Sequence, residues 1–353
     1  MHKMNNSYWS QNLHMDKSEI LHGIRQRAFQ IDKNINLMEV CGGHTNTIMR
    51  YGIKQLLPSN VNLISGPGCP VCVTSQEDVD AVIELALQGK PVATYGDMLR
   101  VPGTKMSLDE ARSRGAPVHM VYSTKEVLSL QNKHPEIFFF GIGFETTTPM
   151  SAFLLENNVP VYSAHKLIVP AMEALLSGQV AIDGFILPGH VSVISGIEQY
   201  RALKVPQAVC GFEAEHILRG VYALLNLTLN GKNEVVNTYP EAVNEGGNKK
   251  AKEIVARNFD IKGSHWRGLG LIPSSGLEVK NESLNAKYLY SEYIKEIPTK
   301  ENGECRCADI LKGLINPVDC PLFGKACSPE YPQGACMVSS EGACKNYYRY
   351  SKE

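Results

Sequence analysis

The chain has 353 residues, of which 43% are hydrophobic and 20% are charged, and its formal net charge is −1. This composition is typical of a globular protein of about two to three domains and excludes the basic excess that binds nucleic acid or anionic membranes. The longest apolar runs are far shorter than the roughly 20 residues that cross a bilayer, and residues 1–17 lack the apolar core of a signal peptide. We therefore expect a cytoplasmic protein, in which cysteines serve metal binding or redox chemistry.

Strand and helix patterns alternate along the chain in two successive series. The first series predicts strands at residues 35–40, 61–65, 91–95 and 118–122, and helices at residues 45–57, 76–88 and 108–114. The second series predicts strands at residues 137–142, 159–163, 184–187 and 208–211, and helices at residues 150–156, 171–176, 197–203 and 214–226. Such alternation implies parallel βαβ units.

The two series predict an α/β fold with two parallel-sheet domains, residues 1–123 and 124–230, joined near residues 123–133. A third region, residues 231–353, begins with a turn-rich stretch that ends at residue 248. A helix at residues 251–258 and a strand near residues 266–272 follow, and then a cysteine-rich tail. We expect this third region to form a small cysteine-rich domain.

Unusual residues follow five of the predicted strands. The motifs are Cys41-Gly-Gly-His44, Gly66-Pro-Gly-Cys69-Pro-Val-Cys72, Gly96-Asp97, Gly141-Ile-Gly-Phe-Glu145-Thr-Thr-Thr148 and Pro188-Gly-His190-Val-Ser192. Ligands of open parallel sheets bind outside the carboxyl ends of the strands, where all these motifs fall. We therefore predict that the functional site is built along these edges.

Two of the motifs carry thiols. Cys41 and His44 flank a Gly-Gly turn that lets the backbone approach a ligand, so the pair would bind a metal or activate the thiol. The alternative is a free cysteine beside a solvent-facing histidine. Cys69 and Cys72 have the C-x-x-C spacing of dithiol oxidoreductases and of half a metal site. Because Gly-Pro-Gly precedes them, we expect a tight turn instead of a helix, with both sulfurs exposed.

The other motifs are less specific. The loop with Glu145 has the glycine and threonine content of a phosphate-binding loop but lacks its lysine. Glu145 is predicted either to hold a polar partner or to satisfy backbone donors at a helix N-terminus. His190 is either a site residue or a turn histidine. Cys210 is predicted to be a core cysteine, and Gly268 and Gly270 to serve packing.

Six of the ten cysteines fall between Cys305 and Cys344. On the residues alone, three interpretations stay open. A disulfide framework is typical of small secreted domains, and structural zinc usually takes tight C-x2-4-C knuckles, which this segment lacks. An iron–sulfur cluster needs four thiolates at wide, irregular spacing, and it would leave two thiols as a pair able to exchange electrons with it.

Together these motifs resemble those of the HypD family of [NiFe]-hydrogenase maturation factors. The resemblance runs from about residue 35 to residue 348, and it is carried by residues 38–45, 65–74, 95–103, 143–149, 188–192, 266–268, 320–324 and 334–344. It implies a [4Fe–4S] cluster bound through the family spacing C-x14-C-x6-C-x16-C. The implied ligands are Cys305, Cys320, Cys327 and Cys344. Cys307 and Cys336 remain and match the family's redox-active dithiol.

The resemblance also implies a function. The chain would be a scaffold on which the Fe(CN)2CO unit of [NiFe]-hydrogenase is assembled, together with a HypC-type chaperone and a HypE/HypF-type pair that delivers cyanide. Cys41 would hold the iron with a chaperone cysteine, since soft thiolates suit such iron, and His44 would orient or polarise nearby ligands. Cys69 and Cys72 would supply electrons or transient ligation, and the cluster would recharge them through the dithiol.

One departure and two alternatives accompany this prediction. The family commonly reads Cys-Gly-Gly-His-Thr-His, but Asn46 replaces the second histidine here and cannot take up a proton near neutral pH. The first alternative is a cluster-dependent oxidoreductase that acts on external disulfides, which leaves Cys41 and His44 without a task. The second is a zinc-stabilised binding protein.

Overall fold

The computed structural model describes residues 15–351, so most of the polar segment at residues 1–17 lies outside the described residues. In chain order, the strands are β1 (Ile35–Glu39), β2 (Val61–Ser65), β3 (Val92–Tyr95), β4 (Val118–Val121), β5 (Phe138–Gly141), β6 (Val161–Ser163), β7 (Gly184–Pro188), β8 (Gln207–Cys210), β9 (Val235–Asn237), β10 (Phe259–Trp266) and β11 (Gly270–Val279). The predicted α/β fold with parallel sheets and a cysteine-rich C-terminal region is confirmed.

Helices connect and cover these strands. They are α1 (Lys17–Phe29), α2 (Gly42–Arg50), α3 (Ile53–Leu56), α4 (Pro70–Val73), α5 (Gln76–Leu87), α6 (Gly96–Leu99), α7 (Leu108–Ser113), α8 (Thr124–Gln131), α9 (Thr148–Glu156), α10 (Ile168–Leu176), α11 (Gly189–Ser195), α12 (Ala214–Leu229), α13 (Lys249–Asn258), α14 (Ala286–Leu289), α15 (Ser291–Ile294), α16 (Cys307–Leu311), α17 (Ala335–Val338) and α18 (Ala343–Tyr350). Short 3-10 turns occur at Glu198–Ala202, Glu282–Leu284 and Pro317–Asp319. Within residues 15–351, no helix has both the length and the apolar character needed to cross a membrane.

The larger sheet has five parallel strands in the order β2-β1-β7-β8-β9. Helices α1 and α12 pack against each other on this sheet and bury its apolar residues. The β7 strand is buried at every position, which is typical of a central parallel strand with helices on both faces. The carboxyl ends of β1, β2, β7 and β8 therefore lie side by side, because parallel neighbours end at the same edge.

The smaller sheet has four parallel strands in the order β4-β3-β5-β6. The two sheets do not follow the two series in the sequence, because the chain leaves the larger sheet after β2, builds the whole smaller sheet and then returns for β7. Residue 123, the predicted boundary, lies between β4 and α8, within the stretch of chain that forms the smaller sheet. Local periodicity identifies a strand but not its neighbours, so this strand order was not predicted. The domain boundaries themselves stay a prediction.

An antiparallel hairpin of β10 and β11 joins the sheets to the tail. The single strand predicted near residues 266–272 is confirmed in part: β10 ends at Trp266, residues 267–269 form the turn, and β11 begins at Gly270. Gly268 and Gly270 take positive φ angles of 78° and 77° in that turn, a conformation that glycine adopts without steric cost. The packing role predicted for Gly268 is confirmed, since an added Cβ would stand 2.6 Å from the Ala308 Cα, whereas the one predicted for Gly270 is wrong, because an added Cβ there would meet nothing within 4 Å.

Three helical segments also differ from the prediction. The expected connection near residues 123–133 contains helix α8. The helix predicted at residues 45–57 is divided into α2 and α3 at Gly52, which has a φ of 58°. The helix predicted at residues 197–203 is a 3-10 turn, and the α-helix α11 lies just before it.

Candidate functional site at the sheet edges

Cys41 lies between the end of β1 and the start of α2. Its amide donates a hydrogen bond to Glu39 Oε2 at 3.0 Å. The Gly42 amide donates to the Gly68 carbonyl at 3.1 Å, which binds the loop after β1 to the loop after β2. Only glycine fits at residue 68, because an added Cβ would collide with the Cys41 backbone nitrogen. The two thiol-bearing loops therefore meet at one edge of the larger sheet.

A buried carboxyl and a partly buried amine lie beneath this loop. Glu39 accepts hydrogen bonds from the Thr45 hydroxyl and the Cys41 amide, yet burial raises its pKa to about 8. Burial also lowers the pKa of Lys54 to about 8, and its Nζ donates to the Tyr347 hydroxyl of the tail. Sequence reasoning missed both residues, although a glutamate inside a buried strand is a signal that could have found Glu39.

The Cys41 thiol is held in its protonated form. Burial, followed by the negative charges of Glu341 and Glu39, raises its pKa to about 12. A thiol with this pKa is not an activated nucleophile at neutral pH, so the arrangement disfavours activation by a neighbouring base. A metal cation can still displace the proton, because thiolate ligation and proton release are coupled.

His44 is fully buried, so the alternative of a solvent-facing histidine is wrong. Its Nε2 lies 3.3 Å from the Cys210 carbonyl and 3.0 Å from the Gly211 carbonyl. Since both partners are acceptors, Nε2 carries the hydrogen, and Nδ1 is left buried without a partner in the described chain. Burial lowers the pKa of His44 to about 4, so the ring is neutral and offers a lone pair at Nδ1.

His190 lies in the first turn of α11, where its ring is exposed. It stacks on Phe212 with 4.0 Å between the ring centroids, and the same phenylalanine lies 5.1 Å from the His44 ring. Gly43 leaves room for Phe212, because an added Cβ would stand 2.9 Å from the ring. The structure thus brings the loops after β1, β7 and β8 together around a phenylalanine that sequence reasoning missed.

Cys69 and Cys72 form a disulfide in the loop after β2. The expectation of a tight turn with exposed sulfurs is wrong, since helix α4 begins here and Cys69 and Cys72 are only 3% and 0% exposed. Pro70 explains the helix, because its fixed φ and missing N–H suit the first helical position. The Cys69 sulfur accepts a hydrogen bond from the Cys72 amide at 3.2 Å.

Glu145 follows β5 in the smaller sheet. Its Oε1 accepts a hydrogen bond from the Ile168 amide at 3.3 Å, which satisfies a donor at the N-terminus of α10 and not of its own helix. Its Oε2 is buried and has no partner among residues 15–351, and burial raises the pKa to about 7. Glu145 also lines a cavity of ≈ 780 Å³ together with Ile194 and Ser195 at the end of α11.

In the tail, Cys307 and Cys336 form a second disulfide. Four further thiols line one cavity with this pair, and they are Cys305, Cys320, Cys327 and Cys344. Burial, and then the negative charges of the other three, raises the pKa of Cys344 well above its ordinary value. The shared cavity brings the four cysteines together, and the shift in the pKa of Cys344 is consistent with it. Cys210, by contrast, is a fully buried core cysteine, as predicted.

The donors in the tail suit a cluster better than a single ion. Within the described residues, no group of three or more His, Cys, Asp or Glu side chains is arranged to hold a metal ion. A [4Fe–4S] cluster takes one thiolate at each iron corner, so its ligands surround a body of atoms instead of meeting at one ion. Four free thiols that line a common cavity fit this requirement by number and chemistry.

The tail lies across the edges of both sheets. Helix α18 packs on α2, where Asn46 donates to Asn346 Oδ1 at 2.7 Å, so the residue that departs from the family pattern binds the tail. Ser339 Oγ donates to Asp97 Oδ2 at 3.0 Å in the loop after β3. Helix α17, which carries Cys336, packs on α4, which carries the first disulfide. Both disulfides and the Cys41 loop are therefore parts of one assembled region.

Comparison with known proteins identifies the relatives of this chain. The sequence profile of the HypD family, described as the hydrogenase formation hypA family, matches residues 16–351. The hydrogenase maturation factor HypD of Azotobacter vinelandii is 43% identical over 343 residues, covering 91% of this chain and 90% of that protein. The HypD of Escherichia coli K12 is 37% identical, with 95% of each chain covered, and that of Cupriavidus necator is 39% identical, with 90% of each covered. With its motifs assembled at one region of an α/β fold, this chain belongs to the HypD family of hydrogenase maturation factors.

Proposed function

We propose that this chain is the scaffold on which the Fe(CN)2CO unit of [NiFe]-hydrogenase is assembled in the cytoplasm. Family membership supports a role in hydrogenase maturation alongside other maturation proteins. In the finer proposal, these partners are a HypC-type chaperone and a HypE-type protein that delivers cyanide with its HypF-type partner. The observation that carries the proposal is the arrangement of thiols: one free cysteine at a sheet edge, beside one disulfide and close to a second.

Cys41 is the residue proposed to hold the iron of the assembled unit, which is cargo and not a resident cofactor. Its raised pKa keeps the empty site as a neutral thiol, and binding of iron exchanges the proton for the metal. Transfer of the unit to a partner then returns the proton, so the site is reset without oxidation. The neutral His44 ring, fixed by its Nε2 hydrogen bonds, keeps a lone pair at Nδ1 that orients a ligand donor.

The two cysteine pairs are proposed to keep this iron reduced. Each pair changes between a disulfide and a dithiol, with two electrons and two protons. Cys69 and Cys72 lie beside Cys41 through the Gly68 contact, where as thiolates they also ligate the cargo transiently. Cys305, Cys320, Cys327 and Cys344 would hold a [4Fe–4S] cluster, which supplies one-electron transfer beside the Cys307–Cys336 pair.

Infrared spectroscopy tests this proposal. The protein is purified without oxygen after co-expression with its maturation partners, and the cyanide and carbonyl stretches are recorded. We expect these bands in the unaltered protein and their loss in Cys41→Ala, because the iron loses its thiolate. Cys210→Ala is the matched control, since Cys210 is also a free thiol whose pKa burial raises to about 12, yet it lies in the core. Bands of full intensity in Cys41→Ala would remove Cys41 as the anchor.

Burial disfavours the alternative of an oxidoreductase that acts on the disulfides of other proteins. Such an enzyme needs an exposed attacking sulfur that a protein disulfide can approach, but the four cysteines of both disulfides are buried. The same preparation tests this alternative, through its turnover of a model protein disulfide in the absence of any chaperone. A protein with an intact cluster, no cyanide bands and rapid disulfide turnover would be an oxidoreductase.

A further inference from the structure

A cavity of ≈ 580 Å³ opens beside the second disulfide. Its walls come from the loop at residues 102–104, the hairpin turn at Arg267, the segment at residues 300–308 and residues 333–334. The volume falls within the roughly 300–1,000 Å³ typical of small-molecule sites. Cys305 and Cys307 both lie in its wall. The proposed scaffold function assigns no ligand to this cavity.

Arg267 is the unusual residue of this cavity. It is only 7% exposed, and its backbone amide donates to the Val73 carbonyl. Its Nε donates to the Thr74 carbonyl at 2.9 Å and its Nη1 to Gln76 Oε1 at 2.8 Å, and both of these acceptors are neutral. Its Nη2 is buried and has no hydrogen-bond partner in the part of the chain that is described. The guanidinium therefore keeps unused donors and a positive charge.

This charge favours an anion. Burial lowers the pKa of Arg267, and the carboxylates of Glu301 and Asp80 offset this effect only in part. A guanidinium does not lose its proton in a protein, so it gains most from a carboxylate that binds it with two charge-assisted hydrogen bonds. Glu301, Glu304 and Lys300 also line the cavity, so its wall apart from Arg267 carries a net charge of −1 and disfavours a multiply charged anion. The site therefore suits a small ligand with a single carboxylate.

Of the two cysteines of the disulfide, Cys307 belongs to the wall of this cavity. Cys307 is 6% exposed and also lines the inner cavity of the four thiols, whereas Cys336, which lines that inner cavity as well, is 1% exposed and is not among the residues of this wall. Gly334 keeps the space beside Cys305 and Cys307 open, because an added Cβ would stand 2.7 Å from the Cys305 sulfur and 3.8 Å from the Cys307 Cβ. A reductant in the cavity would thus meet Cys307 first.

We propose that this cavity binds a small thiol that carries a carboxylate, and that this thiol reduces the Cys307–Cys336 disulfide. The inference rests on the proposed redox role of that pair. Arg267 binds the carboxylate, and the thiolate of the ligand attacks the Cys307 sulfur. A mixed disulfide forms while the Cys307–Cys336 bond breaks, and Cys336 leaves as a thiolate that takes up a proton.

A second thiol molecule completes the reaction. It attacks the ligand sulfur of the mixed disulfide, which releases Cys307 as a thiol and forms the external disulfide. In sum, two external thiols become one disulfide, and two electrons and two protons pass to the protein. The cavity is in this way a route by which electrons from outside reach the buried pair.

The test compares 3-mercaptopropionate with the neutral 2-mercaptoethanol on the anaerobic, cluster-loaded full chain with both pairs oxidised. Differential alkylation and mass spectrometry follow each pair separately, with rates expressed per thiolate. We expect Cys307–Cys336 to be reduced about tenfold faster by the carboxylate thiol, the effect of one charge-assisted hydrogen bond. The Cys69–Cys72 pair serves as an internal reference and should show no preference.

Two variants and one competitor complete the design. Arg267→Gln should abolish the preference, while Arg306→Gln should keep it, since Arg306 is a 51% exposed neighbour that pairs with Asp309. If Arg267→Gln does not fold, propionate, which has the carboxylate but no thiol, should still slow the reaction of 3-mercaptopropionate at Cys307–Cys336. Equal rates for both thiols at that pair, or the same preference at Cys69–Cys72, would overturn the proposal. Neither readout involves the iron unit, so the result is independent of the infrared experiment.

Discussion

The two cysteine regions of this protein are built in different ways. The edge region, with Cys41, Cys69 and Cys72, consists of short loops after adjacent strands β1 and β2, which backbone hydrogen bonds join directly. The tail consists mostly of turns and helices of three to eight residues between Cys305 and Tyr350. Its cysteines come from several of these turns and converge on one cavity. A sheet therefore supports the first region, whereas the second region lacks a sheet, and we expect the Cys307–Cys336 disulfide and the proposed cluster to provide much of its cohesion.

Removal of a proposed cluster ligand should have the largest effect and should affect the tail but not the edge region. In Cys320→Ser we expect loss of the iron–sulfur absorbance and loss of hydrogen-exchange protection across the tail, because bound metal contributes directly to the folding of such segments. Amides of β1 and β2 should keep their protection. The core variant Cys210→Ala should leave the protection of the tail unchanged. Equal loss of hydrogen-exchange protection in the sheet and in the tail would show that the two regions do not differ in what supports them.

A change of intermediate size should affect the edge region. Gly68→Ala places a methyl group against the Cys41 backbone nitrogen, so we expect a loss of roughly 1–3 kcal/mol in the free energy of unfolding. Gly246→Ala is the matched control, because its Cβ would meet open space. Chemical denaturation of both variants measures the difference. Equal stabilities would show that the loop after β2 can move away from Cys41 without cost.

The third effect is a pH dependence beneath the edge region, of a size comparable with that of Gly68→Ala. Because Glu39 has a pKa of about 8 in the folded chain and an ordinary value of 4.5, the folded state holds more protons between these values. Stability from this group is therefore fully present below pH 4.5 and is lost as the pH rises toward 8.

Glu39→Gln should remove this contribution. His44 has the opposite effect on the pH dependence of stability, but only below pH 6.5. Its pKa is lower in the folded chain than in the unfolded chain, so below pH 6.5 the unfolded chain binds more protons at this residue. We therefore expect the free energy of unfolding of the parent to fall, relative to Glu39→Gln, by up to about 1.4 kcal/mol per pH unit between pH 6.5 and 8. Parallel curves of stability against pH would exclude a protonated Glu39.

Much of the local structure was predictable from hydrophobic patterning. The prediction for β2 matched its observed bounds, and those for β1, β3 and α5 came within one or two residues. The hairpin was missed because β10, with residues such as Asp260 and Lys262, is mostly exposed and has no continuous apolar face. The helix at the C-x-x-C motif was not predicted, because Gly-Pro-Gly indicates a turn and only Pro70, the first residue of α4, indicates a helix.

The candidate site was likewise predictable in part and not predictable in part. The positions of Cys41, His44, Cys69 and Cys72 after strands were visible in the sequence, because chemically active residues there stand out from the apolar pattern. Their protonation and burial were not visible, since these depend on residues from other segments. Arg267 illustrates the limit: it stands in an ordinary turn motif, and only the packing of that turn on Thr74 and Gln76 turns it into a buried cation beside Cys307.

The sequence by itself determined the α/β class, the alternation of strands and helices, and the family, because these follow from local periodicity and from residue spacing along the chain. Only the tertiary structure decided that β7 to β9 return to the first sheet, that the tail spans both sheet edges, and that burial raises the pKa of Cys41. The physical reason is range. Periodicity acts between neighbours in the chain, whereas sheet order, burial and pKa depend on side chains that arrive from tens to hundreds of residues away.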